Sequence, residues 1–161
     1  MKRNSNFSKV AIFLLLFVLA SYQTFSQQSQ NLTVFESPLK MVAAAKEVIT
    51  EIPVTEFKKV TDAENPVIID VRTAAEHELG AVPGAVNIPR GVLEFRIGNE
   101  EIWEEFGKPV PSKSDTIYVY CGTGSRGALS AKALMQLGYT NVLSIKGGWN
   151  AWHEKFPELS R

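Results

Sequence analysis

The sequence predicts an α/β protein, with a five-stranded parallel sheet that helices cover on both faces. Strand and helix signals alternate along the chain, and the strand segments are short and mostly apolar. Continuous apolar strands are typical of parallel sheets that are buried on both faces. The chain has 161 residues and no internal repeat, so these elements are predicted to form one domain over residues 41–161, after a flexible lead-in over residues 27–40.

The strand predictions rest on short apolar runs that turn residues bound on each side. Asn65-Pro66 and Asp70 bracket one such run. Another lies between Pro83-Gly84 and Pro89. In chain order, the predicted strands are Ile52–Val54, Val67–Ile69, Ala85–Ile88, Ile117–Tyr120 and Val142–Ile145.

The helix predictions rest on apolar spacing and on capping residues. The segment Thr73-Ala74-Ala75-Glu76 has the spacing of a capping box, which opens a short helix that ends by Gly80. Thr55 and Asn99 are predicted N-caps, and Gly138 is predicted to end the longest helix. The other predicted helices are Met41–Ile49, Glu56–Val60, Gly91–Phe95, Glu100–Phe106, Ser125–Leu137 and Gly148–Lys155.

Residues 1–26 have the features of a secretory signal peptide. Lys2, Arg3 and Lys9 give a basic start. The apolar stretch Val10–Ala20 follows, and it is too short for a bilayer span, which takes about 20 residues. Cleavage is predicted near Thr24-Phe25-Ser26. We therefore predict export to the periplasm or the extracellular space, with no stable membrane association after cleavage; an uncleaved membrane anchor is the alternative.

Charge and cysteine content narrow the classes of function. The formal net charge is zero, so the chain carries no electrostatic footprint for nucleic acid. Cys121 is the only cysteine and cannot form an internal disulfide. In an exported protein such a residue indicates an intermolecular bond or a reactive thiol. A buried, inert thiol is the alternative.

The loop Cys121-Gly122-Thr123-Gly124-Ser125-Arg126 joins the fourth predicted strand to the longest predicted helix. Ligands of parallel sheets bind at the carboxyl ends of strands, where Cys121 lies. Gly122 and Gly124 are predicted to take positive φ angles, which lets successive N–H groups converge on an anion. The helix start adds partial positive charge, and Thr123 and Ser125 add hydroxyl donors. Arg126 adds a cation, so the loop is predicted to hold an anionic sulfur.

This loop resembles the active-site loop of rhodanese-homology domains, whose pattern is Cys-Arg-x-Gly-x-Arg before a helix. The segments 69–72 (Ile-Asp-Val-Arg) and 84–89 (Gly-Ala-Val-Asn-Ile-Pro), with Glu76 between them, resemble the N-terminal signature of that family. The segment from Leu143 to Trp152 resembles its C-terminal signature. The three motifs together cover about residues 52–156, and they imply a single rhodanese-like domain.

The resemblance also implies a ping-pong sulfurtransferase that uses no cofactor. Cys121 attacks the outer sulfur of a small donor such as thiosulfate and becomes a persulfide. The loop amides of residues 122–126 hold that persulfide. A thiophilic acceptor, either cyanide or a thiol, then removes the sulfur.

Two loop positions depart from the family pattern. Gly122 replaces a residue that is commonly basic, and Gly127 stands where Ser or Ala is frequent. Arg126 is then the one cation of the loop, which disfavours thiosulfate and favours a persulfide donor. We predict that Arg90 adds a second charge at the rim of the pocket; a solvated surface arginine is the alternative.

Other matched residues are predicted to be structural. Asp70 and Arg72 are expected to fix the loop beside them, and Glu76 to serve the start of its helix. The pair Gly147-Gly148 is expected to allow close packing near the cysteine loop.

The tryptophans and histidines are assigned no chemistry. Trp149 and Trp152 are expected to belong to the core. His77 and His153 have no metal-ligand spacing, so no metal site is predicted. Neither histidine is near Cys121 in sequence, so activation of the thiol is assigned to the loop and the helix start, unless the fold brings a histidine there.

Three alternatives to an exported sulfurtransferase remain. The first is a sulfur-carrying or binding module that does not turn over small donors. The second is a small phosphatase, which loop length disfavours because related phosphatases place five residues between Cys and Arg, and this chain has four. The third is a thiol redox protein, which the lack of a resolving cysteine disfavours.

Overall fold

The computed structural model describes residues 32–62 and 66–160. The predicted signal peptide lies outside these residues, as does the predicted lead-in up to residue 31, so export stays a prediction. Within the described residues the compact unit begins at Ser37. Residues 32–36 form neither helix nor strand. No helix among the described residues is both long enough and apolar enough to cross a membrane.

The predicted five-stranded parallel sheet is confirmed. Its strands lie in the order β1-β5-β4-β2-β3, and each neighbouring pair is parallel. The strands are β1 (Thr50–Ile52), β2 (Val67–Asp70), β3 (Val86–Asn87), β4 (Thr116–Tyr120) and β5 (Asn141–Ile145). Because all five run in one direction, their carboxyl ends meet at one edge of the sheet.

Seven α-helices lie within the described ranges, and at least one of them separates each strand from the next. The capping box between Thr73 and Glu76 is present, and the Asn99 side chain caps its helix as predicted. Gly138 follows the longest helix with a φ of 90°. The helices are α1 (Pro38–Lys46), α2 (Val54–Thr61), α3 (Ala74–Glu78), α4 (Leu93–Arg96), α5 (Glu100–Glu105), α6 (Ser125–Gln136) and α7 (Gly148–Lys155), and a 3-10 turn (Pro157–Leu159) follows.

Two elements near the start of the domain have bounds that differ from the predictions. The first helix begins at Pro38 rather than Met41, because the Ser37 side chain accepts the Lys40 N–H and proline suits the first helical turn. β1 covers Thr50–Ile52 rather than Ile52–Val54, since Pro53 has no N–H to continue the ladder.

The predicted N-cap Thr55 is wrong as well. Pro53 holds the N-cap position of α2 with an extended backbone, and Thr55 lies within the first turn of that helix. The N-cap Pro53 supplies no side-chain hydrogen bond to the helix start.

Helices cover both faces of the sheet, as predicted. On one face α1 and α4 pack beside α6, and on the other α2 packs beside α7. The first face includes Ile69, Ile117, Val119, Trp103 and Leu134. The second face includes Ile68, Tyr120, Ile145, Phe57 and Trp152.

One hydroxyl under the longest helix is buried without a partner. Ser144 on β5 is fully buried, and its Oγ makes no hydrogen bond to the described residues. That atom lies 3.3 Å from the point where a Cβ at Gly127 of α6 would stand. A buried hydroxyl that loses water without gaining a partner costs free energy.

We therefore expect Ser144→Ala to raise the free energy of unfolding by about 1 kcal/mol. Urea denaturation at neutral pH measures the change. Val142→Ala on the same strand is the control, because it removes buried apolar surface and must destabilise the fold. A loss of stability in Ser144→Ala would show that the hydroxyl has a partner.

Candidate active site

Cys121 directly follows β4 at the carboxyl edge of the sheet. Its residue is 1% exposed, and its Sγ accepts a hydrogen bond from the Gly124 N–H at 3.2 Å. Gly124 is the N-cap of α6, so the sulfur lies at the start of that helix. The first N–H groups of a helix lack partners within the helix and carry partial positive charge. The position therefore suits a negatively charged sulfur.

The two loop glycines have different roles. Gly124 takes a left-handed φ of 97°, as predicted, and a Cβ there would stand 3.3 Å from the Gly147 nitrogen. Gly122 does not take a positive φ, so its predicted conformation is wrong. A Cβ at Gly122 would stand 3.4 Å from Nη2 of Arg126, which is ordinary contact. Gly122 therefore leaves space beside the guanidinium.

The start of α7 binds the backbone of the cysteine loop through two hydrogen bonds, which together form a clamp. The Trp149 N–H donates to the Cys121 carbonyl at 2.7 Å, and the Asn150 N–H donates to the Gly122 carbonyl at 2.9 Å. A Cβ at Gly148, whose φ is 58°, would overlap the Cys121 carbonyl oxygen. The predicted close packing by Gly147-Gly148 is thus present, and it acts on the backbone of the cysteine itself.

Arg126 is held by a carboxylate from another element. Its Nη1 donates to Glu76 Oε2 at 2.8 Å and its Nη2 to Glu76 Oε1 at 2.6 Å, which is a bidentate pair. This hydrogen bonding to Glu76 is the main cause that raises the pKa of Arg126, and attraction to the Cys121 sulfur adds to it. The guanidinium is therefore held by the carboxylate of Glu76.

Glu76 is fixed in place by the cap of its own helix. The Thr73 N–H and the Thr73 hydroxyl both donate to Glu76 Oε2 at 2.9 Å. Arg126, followed by these bonds from Thr73, lowers the pKa of Glu76 to about 2. The predicted role of Glu76 at the start of its helix is correct. Its second role, as the partner of Arg126, was missed because the two residues are 50 positions apart.

A buried polar network stabilises the same edge of the sheet. Asp70 is fully buried and accepts hydrogen bonds from Arg72 Nη2 at 2.7 Å and from the Tyr120 hydroxyl at 2.9 Å. The Nδ1 of His77 lies 2.9 Å from the same carboxylate. Tyr120 also accepts the Val82 N–H at 3.2 Å. Burial, then the Asp70 charge, raises the pKa of Tyr120, which keeps its hydroxyl protonated.

The tryptophans and histidines that were assigned no chemistry make structural contacts. The Arg72 guanidinium lies 4.6 Å from the centre of the Trp149 ring. The His153 ring stacks on the same tryptophan, with 5.4 Å between the two ring centres. Trp152 is 1% exposed and belongs to the core, as predicted. His77 thus pairs with Asp70, and His153 stacks on Trp149. The described residues contain no group of three potential metal ligands.

Arg90 lies at the same edge, yet its charge is already paired. Its N–H donates to the Val71 carbonyl at 3.1 Å, which fixes its backbone beside the end of β2. Its Nη1 donates to both oxygens of Glu94, at 2.8 and 3.0 Å. The structure shows a carboxylate partner for Arg90 that was not predicted, and its role at the rim of the pocket stays a prediction. Of the predicted hydroxyl donors, Thr123 is exposed and Ser125 is half-buried.

Residues 53–155 match the family model described as the Rhodanese-like domain. The chain belongs to the rhodanese-like domain family. A Schizosaccharomyces pombe protein provisionally named a mitochondrial thiosulfate sulfurtransferase is 31% identical over 117 residues, which cover 67% of this chain and 82% of that protein. The predicted family and fold are confirmed.

Two solved structures share this rhodanese-like fold. A human single-domain sulfurtransferase superposes with a TM-score of 0.60 at 27% identity, covering 65% of this chain and 96% of its own. A Rhodopseudomonas palustris protein of unknown function, suggested to be a tyrosine phosphatase, superposes with a TM-score of 0.61 at 26% identity. That match covers 78% of this chain and 96% of the other. Proteins named for two chemistries therefore share the fold.

The clamp beneath the loop of this rhodanese-like domain can be tested with two glycines. We expect Gly148→Ala to cost about 3 kcal/mol or more, because its methyl group would overlap the Cys121 carbonyl and displace the loop. Gly138→Ala is the control, since its φ is also left-handed but its surroundings are open. It should cost only about 1–2 kcal/mol. Urea denaturation compares them, and equal costs would contradict the clamp.

The pair between Glu76 and Arg126 predicts a pH-dependent stability. The folded state lowers the pKa of Glu76 from 4.5 to about 2, so the pair stabilises the fold above pH 4.5. That contribution is lost as the pH falls toward 2. Because both side chains are 39% exposed, solvent screening limits it to about 1 kcal/mol.

We expect Glu76→Gln to be less stable than the wild type at pH 7, with a difference that becomes small at pH 2. Urea denaturation at the two pH values measures it. Glu78→Gln, an exposed residue of the same helix, should show no such trend. A difference that stays constant with pH would contradict the ion pair.

Proposed function

We propose that this protein is a sulfurtransferase in which Cys121 carries the transferred sulfur as a persulfide. The observation that carries the proposal is the hydrogen bond from the Gly124 N–H to Cys121 Sγ at the start of α6. The family supports it, because relatives that share the fold are named sulfurtransferases. The donor is a sulfane sulfur compound, either thiosulfate or a persulfide.

In the first step the Cys121 thiolate attacks the outer sulfur of the donor. With thiosulfate, a bond forms between the two sulfurs, the bond inside thiosulfate breaks, and sulfite leaves with the electron pair. The total charge is unchanged. The cysteine is then a persulfide whose outer sulfur carries the negative charge.

The loop stabilises that charge by preorganised donors. The Gly124 N–H at the start of α6 already donates to the sulfur, and Arg126 in the first turn of that helix supplies a cation. Such donors need no rearrangement when the negative charge moves from the inner to the outer sulfur. The clamp from α7 keeps the loop in this shape, since it fixes the Cys121 and Gly122 carbonyls.

In the second step a thiophilic acceptor attacks the outer sulfur. Cyanide leaves as thiocyanate and returns the Cys121 thiolate. A thiolate acceptor takes the outer sulfur in the same way, becomes a persulfide anion and returns the Cys121 thiolate. Both steps use one thiol, which agrees with a chain that has one cysteine.

The phosphatase alternative has one specific observation in its favour, namely the fold shared with the Rhodopseudomonas palustris protein. Loop length speaks against it. Four residues separate Cys121 from Arg126, and the Gly124 N–H already approaches the sulfur itself. A tetrahedral phosphoryl group needs a wider ring of N–H groups than a single sulfur atom does.

The proposal is tested by weighing the intact protein after exposure to a donor. We expect a gain of one sulfur atom with thiosulfate or with a small persulfide, and its removal by cyanide. Cys121→Ser should show no gain. The double variant Cys121→Ser/Ser114→Cys is the control, because it moves the single thiol to an exposed loop outside the site and should also stay unloaded.

Three outcomes would overturn the proposal. Loading of the relocated thiol to the same extent would mean that the loop contributes nothing. Absence of loading with every donor, combined with hydrolysis of an aryl phosphate that Cys121→Ser abolishes, would establish the phosphatase instead. Loading without release to cyanide or thiols would leave a sulfur carrier.

A further inference from the structure

We propose that Glu76 sets the donor preference of the site, by cancelling the charge of Arg126 so that singly charged sulfur donors are favoured over dianions. The inference rests on the proposed sulfur transfer at Cys121. It assigns Glu76 as a specificity-determining residue that acts through Arg126, and singly charged sulfane sulfur compounds as the favoured donor class.

The first argument is the geometry of the pair. Both terminal nitrogens of Arg126 donate to Glu76, at 2.8 and 2.6 Å, so the carboxylate takes the bidentate position that the oxygens of an incoming anion would otherwise occupy. Between Cys121 and Arg126 the loop has no other basic residue. A dianion entering the loop therefore meets a cation whose charge is already balanced by a carboxylate.

The second argument is that the carboxylate is fixed and ionised. Thr73 donates two hydrogen bonds to Glu76 Oε2, one from its N–H and one from its hydroxyl. Glu76 is thus anchored to its helix as well as to Arg126. The lowered pKa of Glu76 keeps it negative at any physiological pH. The counter-charge is therefore a permanent part of the site.

The third argument is that arginines elsewhere at this edge are neutralised in the same way. Arg72 binds buried Asp70, and Arg90 binds Glu94. Lys146 also follows a strand at this edge, and it is exposed to solvent. Each of the three arginines thus has its own carboxylate, so the surroundings of Cys121 offer little excess positive charge to a dianion.

Two donors that differ by one charge test this selection. Thiosulfate is a dianion that transfers its outer sulfur and releases sulfite. Methanethiosulfonate is a monoanion that transfers its outer sulfur to the same thiolate and releases methanesulfinate with the electron pair. The bonds formed and broken are equivalent, so the ratio of their kcat/KM values with cyanide as acceptor reports the charge preference.

The variant is Glu76→Gln, which removes the charge and keeps an acceptor for Arg126. Glutamine also preserves the capping box with Thr73. We expect the ratio of kcat/KM for thiosulfate over methanethiosulfonate to rise about three- to tenfold, because the freed Arg126 attracts the dianion more than the monoanion. The rise should shrink as salt increases from about 0.01 to 1 M. The matched control is Glu78→Gln, which makes the same charge change on the same helix.

Lys146→Gln separates this explanation from attraction by the exposed lysine. If Lys146 rather than the pair governed the preference, its loss would lower the ratio more than Glu76→Gln raises it, and that result would overturn the inference.

A melting curve shows whether each variant is folded. If Glu76→Gln does not fold, the salt dependence in the wild type decides. A steep fall of thiosulfate kcat/KM with salt would mean that a free cation attracts the dianion, and would contradict the inference.

The failures of the two proposals are distinguishable. If neither donor loads Cys121 in the wild type or in Glu76→Gln, sulfur transfer itself fails. If both donors load it and Glu76→Gln leaves the ratio and its salt dependence unchanged, sulfur transfer stands and the role of Glu76 is rejected.

Discussion

The close approach of Gly148 to the carbonyl of Cys121 is the contact on which the shape of the site depends. A side chain at this position would overlap that carbonyl, so the start of α7 reaches the loop only because residue 148 is glycine. The Trp149 and Asn150 N–H groups then donate to the Cys121 and Gly122 carbonyls. The start of α7 thus binds the backbone of the loop, and the start of α6 is left to bind the sulfur.

α3 links this loop to the buried interior of the domain. Within two consecutive residues, Glu76 binds Arg126 of the loop and His77 binds Asp70 of the sheet. Asp70 also holds Arg72, whose guanidinium packs over Trp149 of α7. The elements that contact the cysteine loop are therefore tied to each other through charged pairs, and the loop is positioned by its neighbours more than by its own sequence.

The elements that the sequence predicted well are those whose signals are local. The capping box of α3 involves residues three apart, and the apolar runs of β2 and β3 lie between nearby turn residues, so short-range chemistry defines them. The errors also have local causes. Pro53 moved both the end of β1 and the cap of α2, because a residue without an N–H ends a ladder and leaves Thr55 inside the helix.

The sequence by itself determined which chemistry the site can carry. It places the single thiol after a buried strand and before a helix, with a glycine that takes a left-handed φ between them. Only the tertiary structure decided the electrostatic state of that thiol's surroundings. Glu76 reaches Arg126 across 50 residues because α3 and the cysteine loop follow adjacent parallel strands, β2 and β4, whose ends meet at one edge. Sequence spacing contains no record of that adjacency, whereas charge pairing depends on distance in space alone.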